Sequence, residues 1–158
     1  MGEVSDKVNS VRKRWNRAGV LGREIEMSEI TSLERRIGSI PPSYKEFLLE
    51  VGRQDDDDED GFFFWAPEAV SPVNVLFTEN DIETCPVLEE AVVIADYLQE
   101  SWYYVLWTQG PRTGQVGLAT GKDDEKRKPI GNLLAFLESY LVDSKALYPI
   151  ETDTPAGG

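Results

Sequence analysis

The sequence predicts an α+β fold, with helices packed on a mainly antiparallel sheet of four to six strands. Two observations carry this expectation. Apolar residues recur at helical spacing up to residue 52 and again after residue 130. Between those stretches lie short runs rich in aromatic and β-branched residues, parted by Gly, Pro, Asn and Asp. Helices, then strands in succession, then one helix is the order of an α+β domain and not of alternating strand and helix units. The 158 residues fit one domain, expected over 1–150, because domains commonly hold roughly 100 to 150 residues. Residues 151–158 lack apolar periodicity and are expected to form a mobile tail.

Val4, Val8, Val11 and Trp15 form one apolar stripe on a first helix whose other face carries Lys7, Arg12, Lys13, Arg14 and Arg17. Met27, Ile30, Leu33 and Ile37 repeat the spacing, with Ser28 as N-cap and Gly38 as stop. Pro41 and Pro42 break that helix. Ser43 with Glu46 makes a capping-box pattern ahead of Phe47, Leu48 and Val51, and Gly52 closes this third helix. Strands are predicted at 62–65, 73–77, 91–95, 102–107 and 115–119, the last pair joined as a hairpin or meander by Pro111 and Gly114. Ile130, Leu133, Leu134, Leu137, Tyr140 and Leu141 signal a final helix.

Charge is unevenly spread. The chain holds 29 acidic and 16 basic residues, a formal net charge of −13. From residue 54 to residue 111 there is no Lys or Arg but there are 14 acidic residues, so the remainder, with 15 acidic and 16 basic, is near neutral. Such a middle third repels phosphate backbones and anionic lipid, and steers basic partners toward itself. Neither nucleic acid nor membrane is therefore expected as a partner. No run approaches the ~18 apolar residues of a membrane span, and the opening MGEVSDKVNS lacks the layout of a signal peptide, which points to the cytoplasm.

There is no His and a single Cys, Cys85. No Cys-His or Ser-His pair and no His metal ligand can be assembled, and Cys85 lies in the lysine-free middle, where nothing favours its thiolate. Glu89 and Glu90 are adjacent and point in different directions, so they do not form an acid-base pair by themselves. Asp56, Asp58, Asp60 and Gly61 fall on positions 1, 3, 5 and 6 of a calcium loop, but position 12 is Pro67 where a bidentate Glu belongs. The run reads instead as a solvated loop, mobile or in contact with a partner. Trp102, Tyr103, Tyr104 and Trp107 suggest a base-stacking platform, yet the segment has no cation to hold phosphate. They read as core. No catalytic residue, cofactor or metal is expected.

The stretch from Ile30 to Gly52, with Leu33-Glu34, Ile40-Pro41-Pro42, Tyr44 and Phe47-Leu48, resembles the opening of the SUKH superfamily, which includes a yeast cell-wall regulator and many bacterial immunity proteins. The Gly and aromatic segment from Gly61 to Trp65, with Pro67 and Glu68 beyond it, and the late helix from Ile130 to Leu141 extend the resemblance over roughly residues 25 to 142. Where the family carries Asn-Gly at the end of the helix, this chain has Gly52-Arg53. The resemblance implies a compact α+β fold, no catalytic centre and, in bacteria, the binding and neutralising of a toxin encoded beside it.

Composition and resemblance together lead to a non-catalytic protein-binding domain. The expected role is an immunity protein for a toxin with a basic surface, of nuclease type; the alternative is a regulatory or scaffolding module of the same fold. The expected partner contacts are Asp55, Asp56, Asp57, Asp58, Glu59, Asp60, Glu68, Glu79, Asp81 and Glu83, with Trp65 as an aromatic anchor.

Overall fold

The computed structural model describes residues 3–58, 60–73, 90–97, 102–119 and 130–147. Four α-helices occur among them: α1 (Glu3–Ala18), α2 (Met27–Ile37), α3 (Pro42–Val51) and α4 (Leu133–Val142). They accompany an antiparallel sheet made of β1 (Phe62–Phe64), β2 (Ser71–Pro72), β3 (Ala91–Tyr97), β4 (Trp102–Trp107), β5 (Gln115–Ala119) and β6 (Gly131–Asn132). The α+β architecture expected from the sequence is the one observed.

The sheet runs β1-β3-β4-β5-β6, and β2 also pairs with β3. One edge of β3 thus takes two short partners end to end. Phe62, Phe63 and Phe64 oppose Tyr97, Asp96 and Ala95, while Ser71 and Pro72 oppose Val93 and Val92. The register of β3 against β4 slips between Val93 and Ala95. A bulge there bends the strand, and the chain uses the break to leave β1, turn through 66–70 and return as β2. Arg36 of α2 holds that excursion by donating to the carbonyls of Pro67 and Val70, both at 2.7 Å.

Helices cover one face because strand alternation gives them large side chains to meet. Phe64 sits at the centre, with ring centroids 5.6 Å from Trp15 on α1, 5.8 Å from Phe47 on α3, and 5.8 and 5.0 Å from Phe136 and Tyr140 on α4. Val4, Val8, Val11 and Trp15 are all buried, as their spacing requires. On the opposite sheet face Trp107 lies over Gly117; a Cβ there would approach the indole to 2.7 Å, so this strand position accepts only glycine without a shift. Tyr104, Val105, Leu106 and Trp107 are buried, which makes the aromatic strand part of the core.

The element ends differ from the expectations in three places. Ser28 lies inside α2: the cap position belongs to Glu26, whose N–H donates to Glu29 Oε2 at 3.0 Å. Ser43 likewise falls in the first turn of α3, since Pro42 occupies N1, where its fixed φ and missing N–H cost nothing. Ile130 precedes the last helix: its N–H donates to Val116 at 2.7 Å, Gly131 and Asn132 form β6, and the Asn132 side chain caps α4 by accepting from Ala135 N at 2.9 Å. The strand expected at 73–77 lies, beyond Val73, outside the described residues, as does the tail 151–158; Val73 itself follows β2 and is buried. No helix among the described residues is long and apolar enough to cross a membrane.

Candidate functional site

The acidic run begins on a pinned backbone. Segments 20–23 and 53–55 lie antiparallel: Gly22 N donates to Arg53 O, Arg53 N to Arg23 O and Asp55 N to Val20 O, at 2.7, 2.8 and 2.7 Å. Gly22 faces the Asp55 carboxylate so closely that any Cβ would displace it. Buried Gln54 then closes the loop from inside. Its Nε2 donates to the carbonyls of Asp56 and Phe62 at 2.9 and 2.7 Å, and its Oε1 accepts from Phe64 N at 2.8 Å. A side-chain amide with both ends used joins the start of the acidic run to β1.

Asp58 turns inward, contrary to the expected solvated contact. Its side chain is 0 % exposed. Oδ1 accepts from the N–H groups of Asp60 and Phe62 at 2.8 and 3.0 Å, and Oδ2 accepts from Tyr140 Oη and, at 3.3 Å, from Arg14 Nε. Tyr140 Oη in turn accepts from Trp15 Nε1 at 3.0 Å. Burial first, and then the neighbouring Asp58 carboxylate, push the Tyr140 phenol far above its ordinary value, so it stays protonated and donates. Arg14 also reaches Asp60 and lies 4.5 Å over the Tyr140 ring. The physical reason for the correction is general: a carboxylate is buried only where cations and donors surround it, and α1 and α4 supply them. The middle of the run is therefore a structural anchor, and Asp60, partly exposed, is half drawn into it.

Asp55, Asp56 and Asp57 remain at the surface. Among the described residues none of the three has an ion-pair partner, whereas Asp58 and Asp60 share Arg14. Burial, followed by repulsion from Asp56 and Asp58, holds the Asp57 carboxyl above its ordinary value. Together with Phe63, Trp65, Ala69 and Asp96 these three residues line an open cleft of about 470 Å³. Trp65 is mostly buried; its Nε1 donates to Asp96 Oδ2 at 2.7 Å and its ring meets Tyr103 edge-on at 6.0 Å. Asp96 and Phe63 reach the site as a cross-strand pair. The sequence pointed to aromatic residues near Trp65 without singling out Phe63, and did not offer Asp96 as a contact, although Asp96 is the one charged residue in the strand AVVIADY and alternation along β1 sets Phe63 opposite in facing to Phe62 and Phe64.

Glu68 belongs elsewhere. It pairs with Arg53, which also holds Glu29, and it lines a second cleft of about 350 Å³ with Ser28, Glu29, Ser32, Leu33, Arg36 and Pro67. The Arg53 hydrogen bond first of all keeps the Glu68 carboxyl below its ordinary value. Glu59, Glu79, Asp81 and Glu83 lie outside the described residues, as do Cys85 and Glu89. Of the basic helix face, Lys7 pairs with Glu138, Arg12 caps the carbonyl of Val51 at 2.9 Å, and Arg14 is used as above. Among the described residues no group of three or more acidic or Cys side chains is arranged to hold a metal ion.

No family model, no curated protein and no solved structure matches this chain.

Proposed function

We propose that this chain is a non-catalytic protein-binding domain that acts as an immunity protein: it occupies the basic surface of a cognate toxin, of nuclease type. The observation that carries the reading is the cleft at Trp65, where exposed Asp55 and Asp56 and half-buried Asp57 have no cation among the described residues to neutralise them. Uncompensated charge on a pinned loop costs stability to keep and is useful to a surface that must attract an oppositely charged partner. A toxin that handles nucleic acid presents that opposite charge. The resemblance of residues 30–52 and 61–68 to the SUKH superfamily supports the same reading.

The test is co-expression with the toxin domain encoded beside this gene. Growth should be restored, and the two chains should elute as one complex from size exclusion. A neighbouring toxin that kills undiminished in the presence of this chain would overturn the immunity role, and the absence of any toxin gene there would favour the regulatory module instead.

A further inference from the structure

We propose that the cleft between the acidic loop and β1 receives one arginine side chain of a protein partner, its guanidinium lying against Phe63 and Trp65 and within reach of Asp55, Asp56 and Asp57. The proposal rests on the protein-binding reading above and names the chemistry at its contact.

Three features of the cleft converge on a planar cation. Its walls are aromatic on the sheet side, because β1 sends Phe62 and Phe64 to the helices and leaves Phe63, with Trp65 beyond it, on the other face. Its rim is anionic, and the arginines near it are committed elsewhere: Arg14 holds Asp58 and Asp60, Arg53 holds Glu29 and Glu68, and Arg23 pairs with Glu29. Its backbone is fixed, because Gln54 and the pairing of 53–55 with 20–23 hold the rim in place before a partner arrives. An aromatic wall facing carboxylates suits arginine better than lysine, since guanidinium stacks flat on a ring while its fork of N–H groups meets carboxylate oxygens edge-on. The concavity is open, so the side chain can enter while its backbone stays outside. A cation placed there also removes the repulsion that Asp57 suffers from Asp56 and Asp58.

The experiment uses the full chain, labelled with nitrogen-15, and three blocked pentapeptides, Gly-Gly-X-Gly-Gly, in which X is arginine, lysine or citrulline. The arginine peptide should shift the Trp65 indole N–H and the backbone N–H groups of Asp56, Asp57 and Phe63 in a saturable way at millimolar concentration. Lysine should bind several-fold more weakly, and citrulline, which keeps the shape without the charge, should not saturate. The double variant Asp56→Asn, Asp57→Asn should weaken the arginine peptide by about fivefold or more. The control Glu24→Gln, Asp143→Asn removes the same charge from exposed positions that do not line the cleft and should leave binding as it was. Absence of saturable shifts, equal binding of citrulline, equal weakening by the control, or the same shifts from calcium ion alone would each overturn the proposal. Failure here beside successful protection by co-expression would move the contact to another surface and leave the immunity role standing; the reverse result would keep the arginine site and discard the toxin.

Discussion

Asp58 and Asp57 are neighbours in a run of identical residues, yet one is an internal tie and the other a surface charge. Removing Asp58 by Asp58→Ala leaves Arg14 Nε, the buried Tyr140 hydroxyl and the N–H groups of Asp60 and Phe62 without their acceptor, while Arg14 keeps Asp60; the loss is about 3 kcal/mol by the standard of broken buried ion pairs. Urea unfolding should show that drop in midpoint, whereas Asp56→Asn with Asp57→Asn should stay within about 0.5 kcal/mol of the parent. Equal midpoints for the two variants would remove Asp58 from its anchoring role. Tyr44 offers the opposite case. Its hydroxyl is buried with no hydrogen-bond partner among the described residues, so Tyr44→Phe should be neutral or raise stability by up to about 1 kcal/mol, read in the same denaturation series. The division within the acidic run was not legible in the sequence, because the groups that decide it, Arg14 and Tyr140, stand 44 and 82 positions away from Asp58. What the sequence did show was the charge itself and the aromatic residue beside it.

Among the elements, interiors were easier to read than ends. Helical stripes and aromatic strands follow from periodicity, which is local; caps depend on which of several polar side chains wins. Ser28 loses to Glu26 and Glu29, and Ser43 to the proline that precedes it. Glu29 illustrates why: it is held below the usual glutamate value of 4.5 first by the Glu26 N–H and then by Arg23 and Arg53. Glu68 is lowered as well, by Arg53. A carboxylate whose folded value is depressed contributes stability that is complete above its unfolded value and is lost as pH falls through the folded one. The tie between α2, Arg53 and the 66–70 turn should therefore loosen between about pH 5 and about pH 3. Thermal melts across that range should fall, and Arg53→Gln should flatten the slope; a slope unchanged in the variant would assign the acid sensitivity to other carboxylates. Asp57 acts in the opposite sense, since its raised value makes protonation favour the folded state.

Over the whole molecule, the fold class and the segregation of charge were both legible, since they depend on composition and order along the chain. The cleft was not, because it is assembled from the loop after α3, the end of β1, the 66–70 turn and Asp96 of β3, which stands 31 positions from Trp65. A net charge of −13 carried by the middle third gives one further expectation. Association with a basic toxin should slow steeply as salt rises while dissociation changes much less, because screening acts on the long-range approach and less on groups already in contact. Stopped-flow mixing at two ionic strengths measures this, and an association rate indifferent to salt would exclude electrostatic steering.

The hydrogen bond from Trp15 to Tyr140 spans 125 positions, and Asp58 is bound between their helices. On the ribosome this arrangement imposes an order of events. The first helix, the acidic loop and β1 emerge long before the tyrosine that completes their polar contacts, so the pair of Arg14 and Asp58 lacks the Tyr140 hydrogen bond until α4 is made. Loop closure over such a distance is slow and favours late, cooperative folding. A nascent chain arrested before residue 133 should be cut readily by protease, and one extended past residue 147 should resist; protection that arrives with the earlier arrest would mean the N-terminal half folds without its C-terminal partner.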